Sequence, residues 1–151
     1  MYFRIETRTA AMMGLQIQIL LLSIFAVGTV IAIKGFDDDF VNFNFQANRC
    51  VGSSGDQKQC DKLLACVKKF PKPLDDTFEK CVKEIYPNGL GKCTDSQNLF
   101  GTSDDVQKYE ACIINNVPQK SDLNSDELKQ FEVYKKCVYK EGGECVKKQG
   151  N

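Results

Sequence analysis

Histidine and tryptophan are both absent from the 151 residues, proline occurs only four times, and twenty Lys and Arg are balanced by twenty Asp and Glu. Without histidine there is no imidazole general base, no Ser–His or Cys–His pair, and none of the His ligands on which most catalytic zinc sites rely. A formal net charge of zero removes the basic face that displaces counterions from phosphates, so nucleic acid is not an expected partner. Cys-x-x-Cys is missing as well, and with it the commonest redox-active dithiol and the close thiolate pairs of zinc knuckles.

What is present falls into two unlike parts. Arg4 and Arg8 precede an uncharged run from Ile17 to Ile33, built mainly of Ile, Leu, Val and Ala. A basic segment followed by an apolar one reads as a secretory signal over residues 1–32, with Val30 and Ala32 as the small residues before the cut and Gly28 or Gly35 marking alternative cuts. Initiation at Met12 or Met13 leaves that reading unchanged. The competing reading is an uncleaved anchor, since the seventeen residues stand at the lower edge of the about 17–25 that span a bilayer. The small-residue exit and the lack of a stop-transfer cluster favour cleavage, secretion and no stable membrane anchor. Removal of residues 1–32 takes away Arg4, Arg8 and Glu6 and leaves 119 residues with 18 basic and 19 acidic side chains. That is enough chain for one core.

All eight cysteines lie downstream: Cys50, Cys60, Cys66, Cys81, Cys93, Cys112, Cys137 and Cys145. An even number of Cys in an exported segment of this size predicts a disulfide framework rather than a metal site. Eight Cys allow about a hundred pairings, so the connectivity stays open. One local pattern recurs: Leu63-x-x-Cys66-Val67, Phe78-x-x-Cys81-Val82, Tyr109-x-x-Cys112-Ile113 and Tyr134-x-x-Cys137-Val138. On an α-helix, a large apolar residue, a Cys and a β-branched residue at offsets of three and four share one face, which directs each Cys toward the core.

Caps and breakers place four helices. Asp56 and Gln59 resemble a capping box ahead of the stripe Leu63, Val67 and Phe70, which Pro71 stops, giving a helix over 57–70. Pro73 and Asp75 open a second over 75–86, closed by Pro87-Asn88-Gly89. Loop follows to residue 102, tethered by Cys93. Ser103 with Asp104 and Asp105 starts a third over 104–117. Asn124 and Glu127 start a fourth over 125–141, ending at Gly142-Gly143 with Cys145 just beyond. The expected fold is all-α, a disulfide-stapled bundle of four main helices over residues 50–151, preceded by a Phe-rich arm over 33–49.

In that arm Phe36, Phe40 and Phe43 fall at i, i+4 and i+7, and with Phe45 they read as a fifth core element in preference to a docking segment or flap. Asn42, Asn44 and Asn48 weaken a helix there. Asp37-Asp38-Asp39 lacks the Gly and the terminal Glu of a calcium loop and reads as a solvated acidic run. Lys58, Lys62, Lys68, Lys69 and Lys72 read as the polar face of an amphipathic helix rather than a membrane-binding patch. Carboxylate catalysis survives the loss of histidine, and eight Cys on helices invite comparison with c-type lysozymes. This chain has no Trp for a sugar-binding cleft, no close Cys pair like theirs, and no Glu set in an apolar stretch. The chain is therefore expected not to be an enzyme and to need neither cofactor nor metal.

The signal segment, the helical Cys pattern and the Tyr/Phe-x-x-Cys-Val units resemble the small Cys-rich helical proteins secreted by arthropods, and in their Lys-rich, Pro-punctuated style those of arachnids. In size and in Cys placed on helices the chain is also similar to insect odorant-binding proteins. Its gaps of five residues between Cys60 and Cys66 and seven between Cys137 and Cys145 differ from theirs. The expected function is that of a secreted, non-catalytic binding protein holding a small apolar ligand between helices. Phe78, Ile85, Phe100, Tyr109, Ile113, Phe131 and Tyr134 would line the cavity. The alternative is an effector of the venom or salivary kind that acts on an extracellular protein partner, and the third is a structural secreted component.

Overall fold

The computed structural model describes residues 33–149; the expected signal segment and its cut after Ala32 lie outside the described residues. Helix α1, Asp38–Gly52, starts where the Asp37 carboxylate accepts the backbone N–H groups of Asp39 and Phe40 at 3.1 and 3.3 Å. Asp38 and Asp39 then lie in its first turn, against the positive end of the helix dipole. The acidic run is therefore a helix start. Three Asn lower the propensity of this segment, and burial of Phe40, Ala47, Cys50 and Val51 overrides it. The helix runs across the boundary expected between arm and bundle, so the arm supplies a fifth helix.

Helix α2, Gln57–Val67, is capped by Asp56, which accepts the Gln59 N–H at 3.1 Å. It ends three residues early, in a turn where the N–H groups of Lys69 and Phe70 reach Cys66 and Val67 carbonyls. Helix α3, Lys72–Ile85, begins three residues before the expected start, because Pro73 occupies the first turn, where its missing N–H leaves no bond unmade. Helix α4, Ser103–Asn116, takes Thr102 rather than Ser103 as its cap, in a reciprocal box with Asp105.

Helix α5, Ser125–Gln149, opens with the Asn124–Glu127 box read from the sequence. Its end is a correction: it runs straight through Gly142-Gly143 and carries Cys145 inside the helix. Gly142 is buried against α1, where a Cβ would meet that of Ala47 at 2.5 Å. The glycine serves a close helix crossing rather than a C-cap.

The four disulfides are Cys50–Cys145, Cys60–Cys93, Cys66–Cys137 and Cys81–Cys112, and no Cys is free. They join α1 to α5, α2 to the 86–102 loop, α2 to α5, and α3 to α4. The principal helix pairs in contact are α1 with α5, α2 with α5, α3 with α4, and α1 with α2. Among the described residues no strand forms beyond one isolated bridge between Thr94 and Gln97, and no helix is long and apolar enough to cross a membrane. The fold is all-α, with disulfides stapling its helices.

Candidate functional site

Residues spaced by single helical turns converge on one interior space. From α1 and the turn before it come Phe36, Phe40, Asn44 and Asn48, each four residues after the last. α4 brings Tyr109, Ile113 and then Val117, α5 brings Phe131, Tyr134 and Val138, and α3 brings Leu74, Thr77 and Phe78. The loop adds Leu99 and Phe100. They line a partly open cavity of about 90 Å³ with no charged side chain in its lining.

Aromatic rings set the shape of its walls. Phe40 stands edge-on to Phe131 and Tyr134 at centroid distances of 5.6 and 5.9 Å. Phe100 stacks on Tyr109 at 5.3 Å, and Tyr109 meets Phe78 edge-on at 6.3 Å. Such pairs contribute beyond the area they bury and hold each ring at a defined angle. The Tyr134 hydroxyl donates to Asn44 Oδ1 at 2.8 Å, and the Thr77 hydroxyl donates to the Pro73 carbonyl at 3.0 Å. Burial pushes the Tyr109 and Tyr134 phenols well above their usual range, because a phenolate there would lose its hydration. Desolvation likewise raises Tyr86 to about 12; its hydroxyl donates to the Phe100 carbonyl at 3.1 Å.

Of the residues read from sequence stripes, the structure brings Phe78, Phe100, Tyr109, Ile113, Phe131 and Tyr134 together around this cavity. Ile85, half-buried near the end of α3, lies outside that lining. Phe36 and Phe40, read as part of a fifth core element, are buried and line the cavity, and Asn44 and Asn48, one helical turn further on along the same face, extend that wall without having been read as lining. Cys60, Cys66, Cys81 and Cys93 are wholly buried, whereas Cys137 and Cys145 are half-buried.

Two polar contacts tie α4 to α1 and to the segment before it. Arg49 donates through Nε to Glu110 Oε1 at 2.7 Å and through a second nitrogen to Oε2, a bidentate pair. The Glu110 hydrogen bond holds the Arg49 guanidinium above its ordinary pKa. Lys34, in a left-handed conformation with φ +47°, donates Nζ to the carbonyls of Asn115 and Val117 at 3.0 and 2.6 Å. Elsewhere Lys135 bonds Asp37 Oδ2 at 2.7 Å and, chiefly through that bond, lowers the pKa of the Asp37 carboxyl.

The exterior is mixed in charge. Lys58 and Lys62 of α2 share a shallow polar groove with Asp56, Glu141, Glu144, Lys140 and Lys148. Lys72 pairs with Asp76. Among the described residues no group of three His, Cys, Asp or Glu side chains is placed to hold a metal ion.

A family model described as Hi1a-like: U10-hexatoxin-Hi1a matches residues 38–147, a span that holds all eight half-cystines. No curated protein and no solved structure matches the chain.

Proposed function

The chain belongs to the Hi1a-like family, and from that membership we propose that it is a secreted effector of the venom-toxin kind, which acts by binding an extracellular protein and performs no catalysis. The observation that carries this reading is the family match across every cross-linked helix, from the first residue of α1 nearly to the end of α5. Four disulfides suit a protein that must keep its shape in a foreign fluid, since each removes freedom from the unfolded chain. The neutral overall charge favours recognition by local shape and aromatic contacts over long-range steering.

One exposed aromatic stands out as an anchor. Tyr139 of α5 is 40% exposed, yet its ring packs on Phe43 of α1 at a centroid distance of 4.5 Å. A tyrosine held rigid by a neighbour and open to solvent loses little entropy when a partner covers it.

The test is the tissue of synthesis together with the action of the folded protein. The transcript should be concentrated in a venom gland. The disulfide-intact protein applied to excitable tissue should produce a saturable response that reduction and alkylation abolish and Tyr139→Ala weakens. Expression confined to sensory epithelium, with no response to the intact protein, would overturn the reading.

A further inference from the structure

Two separate properties divide the helices in the same way. Cys50–Cys145, Cys66–Cys137 and Cys60–Cys93 lock α1, α2, α5 and the 86–102 loop into one cross-linked set. Cys81–Cys112 joins α3 to α4 and to nothing else. The principal helix contacts obey the same partition: α1, α2 and α5 pack on one another, and α3 packs on α4. With no Cys left over, no disulfide starts from α3 or α4 themselves toward the rest; the one bond across the division, Cys60–Cys93, holds the loop that joins them.

The cavity lies along this division. Phe36, Phe40, Asn44, Asn48, Phe131 and Tyr134 form one wall, from the cross-linked set and the turn before α1. Leu74, Thr77, Phe78, Tyr109 and Ile113 form the other, from the hairpin. The loop between α3 and α4 is itself anchored on the first set, by Cys60–Cys93 and by the Leu99 N–H on the Gly52 carbonyl at 3.0 Å. The hairpin is thus tethered through its loop. Polar contacts also hold α4 along its length: Arg49 with Glu110 in its middle and Lys34 with Asn115 and Val117 at its end.

We propose that the α3–α4 hairpin is a hinged cover, and that the cavity beneath it binds a neutral, ring-sized apolar molecule carrying one hydrogen-bonding oxygen, of which phenol is the minimal example. Neutrality follows from a lining without charged side chains, since an ion there would lose its hydration with nothing to replace it. The polar group follows from Asn44 and Asn48, one turn apart on the same wall. Asn44 Oδ1 is taken by the Tyr134 hydroxyl, which leaves its amide N–H groups as donors for an oxygen on the ligand. The need for a cover follows from size. The resting cavity is about 90 Å³, whereas a benzene-binding cavity in an apolar core is roughly 150 Å³. At that volume a ring fits only if one wall yields, and α3 and α4 form the wall whose helices no disulfide ties directly to the other. The proposal concerns the interior and is independent of any action on a protein partner.

The experiment is a heteronuclear NMR titration of the disulfide-intact protein with phenol and with benzene, combined with amide hydrogen exchange. Both probes should give saturable shifts confined to the lining residues, with phenol the tighter. Ile113→Phe, which fills the space, should abolish saturation. Asn48→Leu, a milder change, should remove the preference for phenol while benzene still binds. Glu110→Gln, which weakens the tie to Arg49, should speed exchange of α3 and α4 amides together by about fivefold, the effect of one partly exposed ion pair, while α1, α2 and α5 keep their rates. No saturable binding to the unmodified protein or to Glu110→Gln overturns the site. Binding untouched by Ile113→Phe, or an unchanged phenol preference in Asn48→Leu, overturns its location or its polar contact. Equal acceleration in all five helices, or in none, overturns the cover.

Discussion

Alanine at Gly142 and alanine at Gly143 perturb neighbouring positions of one helix in opposite directions. Each replacement gains roughly 1 kcal/mol of intrinsic helix propensity. At Gly143 nothing lies within 4 Å of the new Cβ, so that gain should stand. At Gly142 the new Cβ meets the Ala47 Cβ at 2.5 Å and its Cα at 3.6 Å. Ala47 is fully buried and has no rotatable side chain to swing aside. Nor can the helices part freely, because Cys50 and Cys145, each three residues further along its own helix, are bonded to each other. Overpacking of this kind costs about 2–3 kcal/mol. Less the propensity gain, that leaves Gly142→Ala about 1–2 kcal/mol less stable and Gly143→Ala up to about 1 kcal/mol more stable than the parent. Denaturant unfolding of the oxidised proteins, followed by far-UV circular dichroism, measures both. Equal stabilities, or a more stable Gly142→Ala, would refute the close α1–α5 crossing and return the Gly pair to the role of a helix stop.

Phe40→Ala should cost about 3–5 kcal/mol in the same assay, since it empties the ring position facing Phe131 and Tyr134; a loss near 1 kcal/mol would place Phe40 at the surface. For Tyr86, Tyr109 and Tyr134 the folded pKa lies above the unfolded value. Their contribution to stability is therefore complete below the ordinary phenol pKa of about 10 and is lost as pH rises through the folded values. Phenolate absorbance from these three should appear only well above pH 10 and together with loss of native dichroism, and titration of all three near pH 10 with native dichroism would contradict their burial. Removing Cys50–Cys145 leaves Cys66–Cys137 in place, so the loop it closes is only the stretches 50–66 and 137–145, and the chain-entropy cost is roughly 3.5 kcal/mol. Removing Cys81–Cys112, which closes 31, should cost roughly 3.7 kcal/mol on the same estimate, so the two variants should lose similar stability in denaturant unfolding, and a several-fold larger loss for either would count against the pairing.

Local chemistry made much of the fold legible. The starts of α2 and α5 were announced by caps, and Pro71 marked where α2 could not continue, because capping and proline geometry act within one helical turn. The errors arose where a distant residue decides. Gly142 reads as a terminator until Ala47 stands opposite it. Asn42, Asn44 and Asn48 argue against α1 until the aromatic residues of α5 are there to bury Phe40. The cavity stripes on α3, α4 and α5 followed from helical period alone, whereas the α1 wall was hidden by treating Phe36 and Phe40 as part of a separate arm. The disulfide pairing was not legible at all: helical period tells which way a Cys faces but not which Cys it meets.

Four cross-links divide the five helices into a three-helix set and an α3–α4 pair that is tied to that set only through its connecting loop. Proteolysis of the unreduced native protein, followed by mass spectrometry of the linked peptides, tests this division most directly. Cys81 should be joined only to Cys112, with Cys50–Cys145, Cys60–Cys93 and Cys66–Cys137 accounting for the other six. Any bond from Cys81 or Cys112 to one of those six would contradict it.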